Sequence, residues 1–456
     1  DMSESHKTTL QRLLRIALPM VVSQASDSMM MFVDRVFLSR VGELQLSASM
    51  AGGLTMFMLS SLFIGTVGYV TAIVAQYYGA KRYPQCGEAA FQSILIALLC
   101  YPILLALSPL VRYFFVLAGH APRQIELGYL YFQTLIFGSV FLIVRNALAG
   151  FFLGIGRTTV VMLANLAGML INIPANYVLI FGKLGFPALG LKGAAIGTIL
   201  GNAAIFFILL LFYLRGANRT KFKTDRCLRF RPQIMRRLLR FGIPAGFEMF
   251  LSVTAFNLFV QFMHSYGTDV AAAVTITFNW DIVAFIPMLG MSYATTALVG
   301  QNIGAGNREE ARRSTYVALR VTWVYSGAMV LLFLSATRYL VGAFASGFGA
   351  GAENIASLAI VLLRLAALYT LADSAQLVFT GALRGAGDTR WVMRVSIGLH
   401  WLFSGIAIYL IRYVQADPVA VWLVFIAFVM VLGIVMFLRF RGGKWQRIEL
   451  IQPEGD

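Results

Sequence analysis

Residues 419–438 read VAVWLVFIAFVMVLGIVMFL, an unbroken run without a charged side chain. A helix needs ~20 apolar residues to cross the hydrocarbon core of a bilayer, so this stretch alone predicts a transmembrane helix. Outward from it, further apolar runs of similar length alternate with short polar turns. The twelve predicted spans lie near residues 14–38, 52–75, 91–114, 127–150, 158–181, 190–214, 239–264, 272–298, 315–337, 354–380, 392–412 and 419–438.

The composition of the whole chain supports this interpretation. Of its 456 residues, 59% are hydrophobic and only 12% are charged, whereas a soluble domain carries about 25% charged residues. A soluble protein this apolar could not cover its own surface, and the apolar runs are too long for the alternating strands of a membrane barrel. The composition therefore excludes a soluble enzyme, a disordered chain and a secreted disulfide scaffold, and it predicts an all-α integral membrane protein.

Basic residues gather in segments that would lie on one side of the membrane. The net charge is +17, and most lysines and arginines precede span 1, lie in the even-numbered loops or follow span 12. Because positively charged loops remain in the cytoplasm, both termini are predicted to be cytoplasmic, in a bacterial cytoplasmic (inner) membrane. Membrane lipids are then the expected surroundings, and the charge indicates no nucleic-acid partner.

The longest polar stretch, residues 215–240, lies near the middle of the chain. It holds ten basic residues and one acidic residue, Asp225. We predict an N-terminal lobe of six spans at 1–214, a basic cytoplasmic linker at 215–240 and a C-terminal lobe of six spans at 241–456. Attraction to anionic lipid is a second explanation for the linker's charge, and it is compatible with the first.

The two halves carry an internal repeat. At an offset of 225 the matched pairs are Arg12/Arg237, Arg15/Arg240, Pro19/Pro244, Gly42/Gly267, Gln76/Gln301 and Gly79/Gly304. At an offset of 231 they are Gly150/Gly381, Gly154/Gly385, Gly156/Gly387 and Thr158/Thr389. Because six spans is an even number, both halves enter the membrane from the same side, so the lobes are parallel and related by a pseudo-twofold axis along the membrane normal. Parallel repeats with a binding site between them are typical of transporters.

Polar residues inside the first-half spans indicate an ion or proton site. They are Asp34 in span 1, Asn172 and Asn176 in span 5, and Thr198 in span 6. A carboxylate at the bilayer centre costs ~2.5–3.5 kcal/mol, so it persists where it is paired, faces water or has a function. A carboxylate, two amides and a hydroxyl can bind a small hard cation or relay a proton. Hydrogen bonding between helices is the alternative explanation for the amides.

Three acids lie inside the second-half spans, namely Glu248, Asp281 and Asp373. Burial in hydrocarbon favours the neutral form of an unpaired carboxyl group, which could then take up a proton on one side and release it on the other. A structural role is the alternative for Asp281, and a salt bridge with Arg364 is the alternative for Asp373. Sodium binding is possible at Asp34 or Asp373.

Polar and polarisable residues near these acids are candidates for a substrate cavity. They are Met31, Asn202, Ser252 and Gln376. Methionine and aromatic side chains can adapt to flat organic cations. Packing against lipid or against other helices is the ordinary role of such side chains, and it remains the alternative for most of them.

Several segments together resemble the multidrug and toxic compound extrusion (MATE) family, and its NorM-like branch in particular. The matching segments are Phe32-Val33-Asp34, Val74-Ala75-Gln76 with Gly79-Ala80, Asn172-Ile173-Pro174 with Asn176, Phe181-Gly182-Lys183, and Asp373 with Leu383-Arg384-Gly385 and Asp388. The resemblance covers nearly the whole chain. It implies a two-lobed, twelve-helix antiporter that exports cationic and amphipathic drugs by alternating access, in exchange for protons or sodium ions and without any other cofactor.

The resemblance also implies roles for single residues. Asp34, Asn172, Asn176 and Thr198 would form the first-half cation or proton site, and Asp373 would belong to a second-half cation site. NorM-like members carry a glutamate in span 7 at the position where this chain has Ser252, one turn beyond Glu248. Either Glu248 or Asp281 would then replace that glutamate.

Two other functions deserve comparison with drug export. A lipid-linked saccharide flippase of the wider superfamily would need several basic residues inside the membrane. An intramembrane enzyme would need paired Asp-rich motifs or a Ser/His constellation, and the sequence offers neither. We therefore expect a monomeric transporter of small molecules, with no catalytic residues.

Overall fold

The computed structural model describes residues 2–117, 122–345 and 352–451, and within them all regular secondary structure is helical. The helices are α1 (Met2–Val41), α2 (Glu43–Gly68), α3 (Val70–Gly79), α4 (Tyr83–Leu117), α5 (Pro122–Phe137), α6 (Ser139–Gly154), α7 (Thr158–Phe181), α8 (Leu191–Leu214), α9 (Gly216–Phe222), α10 (Pro232–His264), α11 (Thr268–Gly304), α12 (Arg308–Ser335), α13 (Thr337–Ala345), α14 (Ala352–Ala386), α15 (Thr389–Tyr409) and α16 (Pro418–Arg441). A π-helical turn, Leu410–Val414, extends α15, and a 3-10 turn, Lys444–Arg447, follows α16.

The twelve-helix fold expected from the sequence is confirmed in the described part of the chain. Eleven helical segments are long and apolar enough to cross a membrane, and the bent pair α5–α6 makes a twelfth. The predicted span at 315–337 extends past the end of α12, because α12 ends at Ser335 and a separate helix, α13, begins at Thr337. The predicted linker also contains more helix than expected, since α10 already begins at Pro232, a residue type that suits the first turn of a helix.

Two of the spans are interrupted. Tyr69 separates α2 from α3, and Gly138 separates α5 from α6, which meet at an angle of 49°. An ideal Cβ atom on Gly138 would lie 2.3 Å from Cγ1 of Ile199 in α8. The glycine therefore lets α8 pack into the bend, where any larger side chain would collide with it.

The described chain forms two compact units. The first unit consists mainly of Leu18–Phe250, and the second mainly of Leu251–Ile303 and Asn307–Glu449. The boundaries expected from the sequence at 214 and 241 stay a prediction. The extreme ends of the expected lobes, residue 1 and residues 452–456, lie outside the described residues.

One core cluster of the first unit is built mainly from small and aliphatic side chains. It brings together α1, α2, α5, α7 and α8 through Leu38, Ala48, Tyr131, Ile180, Leu191, Ala194 and Ala195. Alanines at the contacts allow helices to approach closely, which is how packing rather than hydrophobicity associates helices in a membrane. This close approach is what brings polar side chains of α1, α7 and α8 together.

Aromatic rings fill the core of the second unit. Phe259 of α10 is fully buried, and its ring centroid lies 4.8 Å from that of Phe403 and 5.3 Å from that of Phe425. The Trp422 and Phe425 rings are 5.4 Å apart on α16. Aromatic pairs at these separations contribute beyond the area they bury.

The internal repeat reappears as the same helix contact in each unit. In the first unit, an ideal Cβ atom on Gly154 of α6 would lie 2.9 Å from the carbonyl oxygen of Thr71 in α3. In the second, an ideal Cβ atom on Gly385 of α14 would lie 2.5 Å from the carbonyl oxygen of Thr296 in α11. Gly154 and Gly385 are a matched pair of the repeat, and Thr71 and Thr296 are separated by its first offset.

Candidate functional site

Three helices of the first unit, α1, α7 and α8, position the candidate site. α8 carries a glycine at every fourth position, Gly193, Gly197 and Gly201. Ideal Cβ atoms would lie 2.6 Å from the Leu179 carbonyl oxygen for Gly193 and 1.8 Å from Oδ1 of Asn176 for Gly197. Small residues at this spacing let membrane helices touch along their backbones. The spacing is readable in the sequence, and it would have predicted the contact between α7 and α8.

The structure brings the four expected first-half residues together. Asp34 is buried at 8% exposure, and Asn172 and Asn176 are completely buried. The Asn176 amide Nδ2 donates to Oδ1 of Asp34, and it lies 3.3 Å from Oδ1 of Asn172. Oγ1 of Thr198 lies 3.0 Å from Oδ2 of Asp34 and 3.0 Å from the carbonyl oxygen of Ala194. The Asp34 carboxyl group is thus held from two sides.

The Thr198 hydroxyl allows this site to hold Asp34 in either protonation state. A hydroxyl group has one proton to donate and lone pairs to accept. When Asp34 is charged, Thr198 donates to its carboxylate. When Asp34 is protonated, its own hydroxyl donates to Thr198, which then donates to the Ala194 carbonyl oxygen. Addition of a proton to Asp34 together with rotation of the Thr198 O–H bond converts the first arrangement into the second.

Two buried amide atoms of the site lack a hydrogen-bond partner among the described residues. They are Nδ2 of Asn172 and Oδ1 of Asn176. Leaving a buried polar atom unpaired costs about 1–3 kcal/mol. A cluster that served only to hold helices together would be expected to satisfy these atoms, so the cost favours a functional role.

The corresponding place in the second unit has no such cluster. Asp34 corresponds to Phe259 at the first offset of the repeat, and Asn172 corresponds to Phe403 at the second. These two rings pack directly against each other. The same helix pairing is therefore stable without polar residues, which weakens hydrogen bonding between helices as the sole explanation for Asp34 and Asn172.

A second polar network of the first unit was missed by the sequence reasoning. Nη2 of Arg145 lies 3.1 Å from Oδ1 of Asp27, and the side chains are 13% and 28% exposed. Nδ2 of Asn165 donates to Oδ2 of Asp27 at 3.2 Å and to Oγ of Ser23 at 2.7 Å. The ion pair neutralises both charges. Asp27 therefore has a cationic partner, whereas the partners of Asp34 described above, Asn176 and Thr198, are neutral.

In the second unit, a tyrosine joins the expected acids. The Tyr369 hydroxyl donates to Oδ1 of Asp281 at 2.8 Å, and the Asp281 and Asp373 carboxyl groups lie close enough to interact electrostatically. Tyr369 and Asp373 are four residues apart on α14, so they share a face. The alternative of a salt bridge between Asp373 and Arg364 is wrong, because no ion pair joins these two described side chains and Arg364 is exposed.

The two span-7 residues, Glu248 and Ser252, fall into different units, and the other second-half acids lie with Ser252. Glu248 is buried on the part of α10 that belongs to the first unit, whereas Ser252, Asp281 and Asp373 belong to the second. Oγ of Ser252 lies 3.4 Å from Oγ of Ser396. Which acid replaces the NorM-like glutamate therefore stays a prediction.

The remaining cavity candidates make mostly local contacts. Nδ2 of Asn202 donates to the Thr198 carbonyl oxygen at 2.9 Å, and Nε2 of Gln376 donates to Oγ1 of Thr380 at 3.2 Å. Met31 is 56% exposed. Their assignment to a substrate cavity stays a prediction.

A helical membrane protein with twelve spans, two repeated halves and buried acids has the architecture of a secondary transporter. The profile of the MatE family matches residues 19–178 and 244–410, one segment in each half and most of the chain. The chain therefore belongs to the MatE family. It is a multi-pass membrane transporter and not an enzyme, as the sequence resemblance implied.

Individual relatives are similar over almost their whole length. The chain is 27% identical over 403 residues to a probable multidrug resistance protein NorM of Pasteurella multocida, covering 87% of this chain and 85% of that protein. It is 27% identical over 451 residues to the multidrug resistance protein MdtK of Yersinia pseudotuberculosis, covering 94% of each. A solved transporter of the MOP superfamily from Pyrococcus furiosus superimposes with a TM-score of 0.87 at 21% identity, covering 96% of this chain and 97% of the other.

Proposed function

We propose that this transporter exports cationic and amphipathic organic compounds across a bacterial cytoplasmic membrane, in exchange for protons, by alternating access. The names of the NorM and MdtK relatives, both multidrug resistance proteins, support the substrate class. The observation that carries the coupling is the Asp34 carboxyl group held between Asn176 and Thr198.

The hydrogen-bond geometry favours a proton over a sodium ion at Asp34. Protonation requires only that the Thr198 hydroxyl turn from Asp34 to the Ala194 carbonyl oxygen. A sodium ion would need oxygen ligands around it, and Asn176 presents an N–H group to the carboxylate instead. Sodium is the second candidate, since rotation of the Asn176 amide would add its oxygen to those of Asp34 and Thr198.

Protonation of Asp34 would change how strongly α1 is held against α7 and α8. The charged carboxylate accepts strong hydrogen bonds from both helices, whereas the neutral acid accepts weaker ones. A ligand shifts a conformational equilibrium only by its differential affinity for the two states, and here the proton is that ligand. Pro19 removes one backbone hydrogen bond inside α1, so we propose that the change in α1 is a bend at this residue.

The second-half acids would form a further proton-accepting group. Tyr369 orients Asp281, and the neighbouring Asp373 carboxyl group would repel it if both were charged. Two nearby carboxyl groups share protons because both cannot easily ionise together. Asp373 is also the second place where sodium could bind.

The flippase alternative is disfavoured by the basic residues within the spans. Arg145 is neutralised by Asp27, and Arg35, Arg320 and Arg364 are exposed. The one arginine of these four that is not exposed is therefore already paired with an acid, which leaves it less able to receive an anionic lipid-linked saccharide.

Efflux of a fluorescent organic cation from cells tests the role of Asp34. We expect Asp34→Asn to reduce efflux at least tenfold while the protein remains folded and inserted. Thr198→Val should lower efflux strongly, whereas Thr198→Ser, which keeps the hydroxyl, should retain most of it. Wild-type efflux by the Asp34→Asn variant, at equal membrane abundance, would contradict the proposal.

A further inference from the structure

A basic pocket lies in the first unit where several membrane helices end. Its volume is about 810 Å³, and it is formed by the turn between α3 and α4, the start of α4, the chain that follows α9 and the first turns of α10. Its basic lining residues are Arg82, Lys223, Arg226, Arg231 and Arg237. Glu88 is the one acid among the lining residues. We call this cavity the basic pocket.

Five basic residues and one acid give the basic pocket a positively charged lining. Arg231 lies 2.9 Å from Glu88 and so neutralises the acid that lines the pocket. Arg237 donates to the Tyr77 hydroxyl at 2.8 Å, which orients its guanidinium group without reducing its charge. The pocket also receives the first turn of α10, whose N-terminal end attracts anions. Cations and a helix N-terminus converge here on one space.

Two exposed apolar side chains, Leu228 and Phe230, are next in sequence to Cys227 and Arg231, which line the basic pocket. Leu228 and Phe230 are 64% and 61% exposed. The backbone on either side of Phe230 is held against α4, because the Gln92 side chain donates to the Arg229 carbonyl oxygen at 2.8 Å and accepts from the Arg231 backbone N–H at 3.2 Å. Two large apolar side chains are thus exposed on a basic segment, close in sequence to the start of the membrane-spanning helix α10.

We propose that the basic pocket binds the phosphate headgroup of an anionic membrane phospholipid, whose acyl chains lie along Leu228 and Phe230. Charge complementarity selects the phosphate, since basic side chains near a membrane surface attract anionic lipids. The exposed apolar side chains select a lipid over a soluble phosphate, because a soluble anion would gain nothing from Leu228 and Phe230. This site is separate from the Asp34 cluster and does not depend on the proposed transport function.

The test measures phosphatidylglycerol bound to the purified full chain by native mass spectrometry, with phosphatidylcholine as the neutral comparison. The pocket variant is Lys223→Gln with Arg226→Gln, two exposed lining residues. The matched control is Arg236→Gln with Arg240→Gln, which removes the same charge from exposed residues outside the pocket lining. We expect at least a tenfold loss of phosphatidylglycerol binding in the pocket variant and little change in the control. Equal losses in both would overturn the proposal in favour of general electrostatic attraction.

A second arm separates a lipid from a soluble anion. Leu228→Ser with Phe230→Ser should weaken phosphatidylglycerol binding several-fold. Inorganic phosphate at millimolar concentration should displace little lipid from the wild-type protein. If phosphate displaces the lipid completely and the serine variant binds lipid normally, the pocket is a site for a soluble anion and the lipid assignment is wrong.

Discussion

At the scale of single residues, Asp34 is a carboxyl group placed where the surroundings tolerate either of its protonation states. Asn176 and Thr198 donate hydrogen bonds to the charged carboxylate, and the Ala194 carbonyl oxygen accepts the Thr198 hydrogen bond when Asp34 is protonated. The matching position of the repeat holds Phe259, which packs in an aromatic core. Placing the polar Asp34 rather than an aromatic ring at this helix contact therefore costs stability, and the fold itself does not require it.

Gly197→Ala should damage the site without touching any titratable group. The new methyl group would lie 1.8 Å from Oδ1 of Asn176, so the amide that holds Asp34 must move. Overpacking of this kind costs about 1–3 kcal/mol, and we expect a lower thermal midpoint in detergent together with severalfold slower efflux. Gly405→Ala is the control, since nothing lies within 4 Å of its ideal Cβ atom. Normal efflux by the Gly197→Ala variant would show that the position of Asn176 is unimportant.

The composition of the site was accessible from the sequence, whereas its contacts were not. Carboxyl and amide groups inside apolar spans are conspicuous, which is why Asp34, Asn172 and Asn176 could be proposed. The partners of Arg145 and Asp281 could not be, because Asp27 and Tyr369 lie far away in the chain and only helix packing brings them close. The functional role of all these residues stays a prediction.

At the scale of helices, the corner joining α14, α15 and α16 depends on one buried ion pair. Asp388 lies between α14 and α15, and Arg439 lies in the last turn of α16. The guanidinium group contacts both carboxylate oxygens, with Nε 2.7 Å from Oδ2 and Nη2 3.2 Å from Oδ1, and it packs over the Trp391 ring. Such bidentate pairing fixes the geometry of the helices as well as their distance.

Asp388→Asn should destabilise this corner. Removing one partner of a buried ion pair leaves the other charge uncompensated, which costs about 3–5 kcal/mol. We expect a clearly lower thermal midpoint and a lower free energy of unfolding in detergent. Asp225→Asn, which breaks the exposed pair with Arg219, should leave both quantities unchanged. A similar small effect of both substitutions would argue against a structural role for the Asp388–Arg439 pair.

The interruptions of helices were the least predictable feature at this scale. Hydrophobic runs indicate where a span lies but not whether it bends, so the break at Tyr69 and the 49° bend at Gly138 were both hidden within apolar sequence. The bend depends on Ile199 of a distant helix, which fills the space that a side chain at Gly138 would occupy. The repeated glycine contacts, by contrast, followed the sequence repeat closely.

At the scale of the whole molecule, the basic segments predict which side of the membrane each loop faces. Thr220 lies in the exposed part of the linker region and should face the cytoplasm, and Leu184, which is 86% exposed between α7 and α8, should face outward. A membrane-impermeant maleimide added to intact cells should label Leu184→Cys and should label Thr220→Cys only after permeabilisation. The reversed pattern would contradict the predicted topology.

The native cysteines should not interfere with that labelling near neutral pH. Cys86, Cys100 and Cys227 are all buried. Burial also raises the pKa of the Cys227 thiol to about 11, so the reactive thiolate is scarce below that pH. Background labelling of Cys227 should therefore be slow at pH 7 and should rise as the pH approaches 11.

Transport by purified protein in proteoliposomes tests the central claim most directly, with proton and sodium gradients imposed separately. A proton gradient alone should drive movement of a fluorescent organic cation by the wild-type protein, and Asp34→Asn should abolish it. A sodium gradient alone, at equal pH on both sides, should drive none. Transport driven equally by sodium alone, or proton-driven transport that survives Asp34→Asn, would contradict the account of Asp34 as the proton-coupling residue.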